Sequence, residues 1–257
     1  MPDFPELAAA APAPDPWAAL KAFTAARIAL GRSGTSVPLR EALAFKLAHA
    51  HARDAVYSLL ATEQLVDELA ELGLPVMQVQ SQAATRQEYL QRPDLGRQLA
   101  EASRAHLAGQ ATEECDLAVV LADGLSATAI NSHALPLLHR LVPELKQMGF
   151  RLGPLVLAEQ ARVALGDEVG NLLQARLVLV LIGERPGLSA PDSLGAYFTY
   201  GPRPGLTDEA RNCISNIRPK GLGYDAAATK LGFLLSEALR RQLSGVALKD
   251  ETGLLGE

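Results

Sequence analysis

The run Leu177–Ile182, LVLVLI, holds six aliphatic residues without a polar break and leads into Gly183-Glu184-Arg185-Pro186-Gly187. An apolar run this short, bounded by Gly and Pro, predicts a strand buried on both faces, as in parallel sheets covered by helices. The loop after such a strand opens at the carboxyl edge of the sheet, where open α/β folds bind ligands. Glu184 and Arg185 therefore stand where a small molecule would sit. A second edge of the same kind occurs earlier, where Leu117–Ala122 (LAVVLA) runs into Asp123-Gly124-Leu125-Ser126.

Around these runs the chain alternates. Leu117–Ala122, Ser126–Met148, Leu152–Ala158, Val163–Leu173 and Leu177–Ile182 read as strand, helix, strand, helix, strand, which predicts parallel βαβ units. Ser193–Tyr200 has strand chemistry. A last helix is expected over Asp225–Ser244, with Asp225 as its N-cap and Gly245 as its stop. The first part of the chain reads differently. A helix is expected over Trp17–Leu30, ended by Gly31–Gly34. A long one follows over Pro38–Leu60, with Leu39, Leu43, Leu47, Ala50, Asp54 and Tyr57 at helical spacing. Leu74–Gln80 suits a short strand, Thr85–Pro93 carries charge and turn residues, and Asp94–His106 resumes as helix. Residues 1–16, rich in Ala and Pro, read as a disordered tail. The fold class expected is α/β: a Rossmann-like, mostly parallel sheet flanked by helices over 113–250, behind a helical N-terminal part over 17–110.

Bulk properties exclude several functions. The 257 residues are enough for one large domain. Twenty-four basic against 29 acidic residues give a net charge of −5, which argues against a broad nucleic-acid footprint. No apolar run approaches the roughly 20 residues of a membrane helix. The start lacks a basic segment followed by an apolar core, so no secretory signal is expected. With Cys115 and Cys213 as the sole cysteines, no disulfide framework is expected, and a reducing cytoplasm is the default compartment.

The candidate sites do not form a self-contained catalytic set. Gly183–Gly187 has neither the spacing of a phosphate-binding loop nor that of a dinucleotide turn, which disfavours nicotinamide and nucleoside-triphosphate chemistry. Asp123 or Ser126 is expected to cap the next helix, with Gly124 making the turn. Cys213, inside Ala210–Ile217 (ARNCISNI), reads as a small packed hydrophobe. The histidines at 49, 51, 106, 133 and 139 show no zinc-site spacing, and no metal ligand or catalytic residue is assigned. His49 and His51, two apart on a helix, do not share a face. A general base, nucleophile and electrophile do not occur together, which points to a subunit that holds a ligand while another chain does the reaction. An independent Rossmann-type enzyme using a nucleotide or methyl donor, and an assembly subunit with no ligand, stay open as alternatives.

Five segments in order carry a resemblance: Gly31–Gly34 (GRSG), Tyr89–Arg97 (YLQRPDLGR), Asp123–Ile130 (DGLSATAI), Gly183–Leu188 (GERPGL) and Cys213–Ile217 (CISNI). Over about Arg27 to Leu243 the chain resembles the light, or small, chain of ethanolamine ammonia-lyase. That family converts ethanolamine to acetaldehyde and ammonia with adenosylcobalamin, whose cobalt–carbon bond breaks to give a 5′-deoxyadenosyl radical. The resemblance implies a heavy (large) subunit, a (β/α)8 barrel carrying substrate and the catalytic side chains, as partner in a hetero-oligomer. It makes the region 113–250 a cobalamin-binding domain. Matching motifs carry over Val163, Glu184 and Cys213 as cofactor contacts. Their types suit a corrin, whose apolar face is fringed by neutral amides: Val163 offers apolar contact, Glu184 accepts from amide N–H groups, and Cys213 packs without covalent chemistry. None of the histidines sits in an Asp-x-His-x-x-Gly motif, so the cofactor is expected to keep its own base on cobalt. Some family members are housed in protein-shelled bacterial microcompartments. The short tail here weighs against that and leaves a cytoplasmic complex as the other option.

Overall fold

The computed structural model describes residues 15–110 and 114–249; the expectation for a disordered tail lies, up to residue 14, outside them. Six strands form one sheet: β1 (Val76–Gln80), β2 (Cys115–Ala122), β3 (Leu152–Glu159), β4 (Ala175–Gly183), β5 (Leu194–Tyr200) and β6 (Arg211–Ile217), in the order β1-β3-β2-β4-β5-β6. The first four of that order run parallel, while β5 is antiparallel to β4 and β6 to β5. The molecule is therefore α/β with a mixed sheet, and the expected parallel pattern stops at β4. Loop length gives the reason. A parallel return needs a crossover of a dozen or more residues, whereas the short link 184–193 suffices for an antiparallel neighbour.

Among the described residues seven α-helices surround the sheet: α1 (Leu39–Val56), α2 (Thr62–Ala70), α3 (Arg86–Gln91), α4 (Glu101–Gln110), α5 (Ala127–Gln147), α6 (Leu165–Leu172) and α7 (Tyr224–Arg241). The period of two along β4 divides its side chains between two cores. Leu177, Leu179 and Leu181 enter the larger core with Leu137 and Leu141 of α5 and Leu231 and Leu235 of α7. Val178, Val180 and Ile182 enter the smaller core with Leu165 and Val169 of α6 and Leu107 of α4. This two-sided burial is what the continuous apolar run predicts.

Several elements depart from the sequence reading. Instead of a helix over Trp17–Leu30 there is one 3-10 turn, Ala18–Ala22, with no buried residue. The long helix ends at Val56, and its apolar stripe does not enter either core: Leu39 is 74% exposed, and Leu43, Leu47 and Tyr57 are exposed as well. Ala55 is its sole buried residue. The expected helix over Asp94–His106 is broken into a 3-10 turn, Leu95–Arg97, and α4. Between them the chain runs beside the end of β1, where the Ala100 N–H donates to the Gln80 carbonyl at 2.9 Å. α7 begins after Gly223 and ends at Gln242 in the left-handed conformation (φ 57°). Asp225 thus lies in the first turn rather than at the cap, where its charge still suits the positive helix end, and Gly245 lies beyond the stop.

The carboxyl rim is closed where the loops after β2 and β4 touch backbone to backbone. The Leu125 N–H donates to the Gly183 carbonyl at 2.9 Å. A Cβ on Gly183 would lie 2.0 Å from the Ser126 carbonyl oxygen and 2.7 Å from that of Asp123. Neither is the end of a flexible side chain, so neither can swing away. Gly183→Ala is therefore expected to destabilise the fold by about 3 kcal/mol, as overpacking of a rigid site does, and to lower Tm by roughly 10 °C. Thermal unfolding of the purified variant checks this; a fall below about 2 °C would mean that the two loops separate freely.

Candidate functional site

Asp123, at the exit of β2, organises the rim. Its carboxylate accepts from the backbone N–H of Gln160 (Oδ2, 3.0 Å) and of Ala161 (Oδ1, 3.0 Å) at the exit of β3. Gln160 is left-handed (φ 53°), which turns both successive N–H groups toward the acid. Arg86 of α3 lies 3.6 Å from Asp123 and donates to the Gly124 carbonyl (2.7 Å) and to the Val56 carbonyl at the end of α1 (2.7 Å). The expected cap role is overturned. Ser126 occupies the N-cap position of α5, but its hydroxyl donates to the Pro191 carbonyl at 2.9 Å, and Asp123 faces β3. The cap comes from a distance: the Ser58 hydroxyl accepts from the Thr128 N–H at 3.1 Å.

The antiparallel strands supply the rest of the site. Past α6, the outer surface of β5 and β6 is open, and Cys213 and Ser215 are exposed there. Tyr197 and Cys213 are cross-strand partners on that surface. The Tyr197 phenol and the Cys213 thiol lie close enough there to act on each other electrostatically. Desolvation against the sheet pushes the thiol up from its ordinary value, and the Glu184 charge adds to the rise. It also raises the Tyr197 phenol, with Cys213 as the next cause. Both groups therefore stay protonated and neutral near pH 7, consistent with Cys213 as a packing group rather than a nucleophile.

Glu184 sits at the same surface and is held along one edge. Its Oε2 accepts from the Ser193 hydroxyl and from the Asn216 N–H (3.2 Å). That N–H is available because β6 bulges: Leu194 pairs with Ile217 and Ala196 with Ile214, leaving an extra residue on β6, with Asn216 left-handed (φ 59°). Oε1 lies over Gly195, where a Cβ would come within 3.0 Å of it and of the Tyr197 ring. The side chain is thus oriented with one oxygen committed and the other available. Behind it, His133 of α5 ties down the 184–193 loop, with Nδ1 2.8 Å from the Tyr224 hydroxyl and Nε2 3.1 Å from Asp192.

Two adjoining cavities follow this edge. One, of about 460 Å³, is lined by Val163, Glu184, Arg185, Tyr89, Arg162 and Tyr197, among others. The other, of about 250 Å³, is lined by Val163, Cys213, Arg97, Arg162, Tyr197 and Asp208, among others. The structure thus gathers Val163, Glu184 and Cys213, which lie on three separate elements, around Tyr197. Sequence reasoning missed Tyr197, Arg162 and Asn216. The signal for Tyr197 was present, since a tyrosine two residues after a strand glycine marks a close approach. No local signal marks Asn216, whose role comes from the bulge.

The chain is similar to known proteins over nearly its whole length. The family described as "Ethanolamine ammonia-lyase light chain (EutC)" matches residues 14–249. The "Ethanolamine ammonia-lyase small subunit" of Pseudomonas paraeruginosa (strain DSM 24068 / PA7) is 56% identical over 245 residues, covering 94% of this chain and 89% of the relative. Its namesake in Rhodopseudomonas palustris (strain BisA53) is 56% identical over 235 residues, 91% of this chain and 90% of the relative. That of Azotobacter vinelandii (strain DJ / ATCC BAA-1303) is 55% identical over 240 residues, 92% and 89%.

The rim has a pH signature. Burial raises the Asp123 carboxyl to about 6, against the opposing pull of the Ala161 N–H and Arg86. The folded state then holds this proton more tightly than the unfolded one. Its contribution to stability is present below about pH 4 and is lost as pH rises through about 6. The shift is worth about 3 kcal/mol. Asp123→Asn removes that slope, so the urea stability of the native protein minus that of the variant should fall between pH 4 and 7. Parallel curves for the two proteins would refute the assignment.

Proposed function

The chain belongs to the ethanolamine ammonia-lyase light-chain family, and on that premise we propose that its open sheet edge is one wall of an adenosylcobalamin site that the large subunit completes. It is a lyase subunit, serving the deamination of ethanolamine to acetaldehyde and ammonia. One observation carries the cofactor reading: Val163, Glu184 and Cys213 are brought together along one groove while its chemistry stays inert. The groove fits the group. It offers an apolar wall at Val163 and Tyr197, an oriented acceptor at Glu184 Oε1, and a buried donor with no partner, Arg162 Nε.

The bound cofactor supplies the radical chemistry. This chain's residues bind and orient. Glu184 accepts from peripheral amides on its free oxygen, and because Ser193 and Asn216 already hold the other, little conformational freedom is lost on binding. Val163 and Tyr197 cover apolar surface and exclude water. Neutral Cys213 packs beneath it without reacting. We read the four parallel strands as a Rossmann-like half, with the ligand at its carboxyl edge as in open α/β sheets. None of this chain's histidines stands in an Asp-x-His-x-x-Gly motif from which it would replace the cofactor's own base. The region 113–250 supplies most of the cofactor-binding wall, to which the N-terminal part adds Tyr89 and Arg97, and α1 of the N-terminal part docks the partner.

The partner surface we assign is the exposed apolar stripe of α1, since monomeric proteins rarely leave such a face bare. No helix among the described residues is long and apolar enough to cross a membrane, so the stripe does not belong to a spanning helix. The complex is placed in the cytoplasm, with packaging in a microcompartment as a further option.

Co-expression with the large subunit tests this reading. The isolated chain is expected to show no ethanolamine turnover, and the complex to become active with adenosylcobalamin. Glu184→Gln should weaken equilibrium binding of cobalamin to the complex by about tenfold, the size of one charge-assisted hydrogen bond. Turnover by the chain alone, or unchanged affinity in the variant, would sink the proposal. Leu43→Asp combined with Leu47→Asp should leave the isolated chain folded, as both residues are exposed, yet abolish co-purification with the large subunit. Retention of the complex would place the partner elsewhere.

A further inference from the structure

We propose that Arg162, with Arg97 beside it, binds the phosphodiester of the cofactor's nucleotide tail; the inference rests on the cofactor reading above and assigns that site its anion-recognising residues. The argument begins with which cations already have partners. Arg86 faces Asp123. Arg211 is paired with Asp167 through two hydrogen bonds of 2.6 and 2.7 Å. Arg104 is held by Glu168 and Glu101. Asp208, the carboxylate in the smaller cavity, is bonded to Arg211 at 3.3 Å. Among the described residues no carboxylate forms an ion pair with Arg162 or Arg97.

Arg162 is nevertheless fixed in place. Its N–H donates to the Gly96 carbonyl at 2.8 Å. Its guanidinium lies over the Tyr89 ring, 4.3 Å from the centroid, and Nη2 donates to the Tyr89 carbonyl at 3.2 Å. Nε is buried with no hydrogen-bond partner. A rigid guanidinium with spare donors and no counter-charge, standing in the wall common to both cavities, is built to receive an anion. Arg97 lines the smaller cavity with it and is held close by the same contact between residues 96 and 162. Cobalamin's corrin periphery consists of neutral amides and methyl groups. Its fixed peripheral negative charge is the phosphodiester of the nucleotide tail. Glu184 suits the amides and would repel that phosphate. Arg185, beside Glu184 in the larger cavity, also has no carboxylate partner among the described residues, but it is exposed and lacks the Tyr89 contacts that fix Arg162; the phosphate is therefore assigned to the fixed Arg162 end of the groove, and the amides to the Glu184 end.

The test uses the complex with the large subunit and two probes: cyanocobalamin, and cobinamide, which lacks the nucleotide tail. Equilibrium dialysis with absorbance detection gives both affinities. Arg162→Gln is expected to weaken cyanocobalamin binding by about tenfold while cobinamide binding stays within about twofold. Arg162→Lys should fall between, keeping the charge and losing the planar fork. Arg97→Gln, an exposed position that needs no support from the Tyr89 stack, should show the same selective loss at a smaller size and carries the test if Arg162→Gln fails to fold. Equal losses for both probes, or none, in the folded variants would overturn the proposal. So would a native complex that binds cobinamide as tightly as cyanocobalamin. A native complex that binds neither probe would instead remove the cofactor reading itself.

Discussion

The candidate site depends on one buried carboxylate. Asp123 accepts two backbone N–H groups from the exit of β3 and faces Arg86 of α3, so two loops and a helix meet at a single side chain. Those N–H groups would otherwise be buried without partners, which costs more than a made bond gains. The left-handed turn at Gln160 directs Arg162 and Val163 toward β4, and the close contact at Gly183 brings Glu184 to meet them. The wall of the candidate site is thus a consequence of how the β2 and β3 exits are satisfied. The raised carboxyl of Asp123 is the cost of that arrangement, since the acid must leave water to reach the two N–H groups.

The parts of this arrangement legible in the sequence are those set by local pattern. The aliphatic runs of β2 and β4 announce two-sided burial, and Gly183–Gly187 announces the rim. α5 and α6 follow from helical spacing, displaced by one or two residues at their ends. What was not legible depends on distance. β6 lies at a sheet edge with one open surface, so Arg211–Ile217 alternates poorly and carries a bulge. Nothing local marks Ser58 as the cap of a helix 70 residues on. Asp225 and Gly245 had the right chemistry for helix ends, yet α7 starts and stops elsewhere because Gly223 and Gln242 adopt the needed backbone.

The exposed stripe on α1 is a different kind of difference. Leu39, Leu43 and Leu47 have the spacing of one apolar helix face. Period alone reports that a face is apolar; it does not say which molecule covers it. The open outer surface of β5 and β6 makes the same point. Both faces are unfinished in one chain.

α1 and the ligand rim are also wired together. The last carbonyl of α1, on Val56, takes a hydrogen bond from Arg86, and the same guanidinium reaches Gly124 and Asp123. A shift of that helix when its apolar side is engaged would be transmitted through one arginine to the backbone that orients the pocket wall. Contact on that apolar side and the shape of the pocket would then share a lever, so the chain with its α1 stripe bare need not present the same cradle as with that stripe covered.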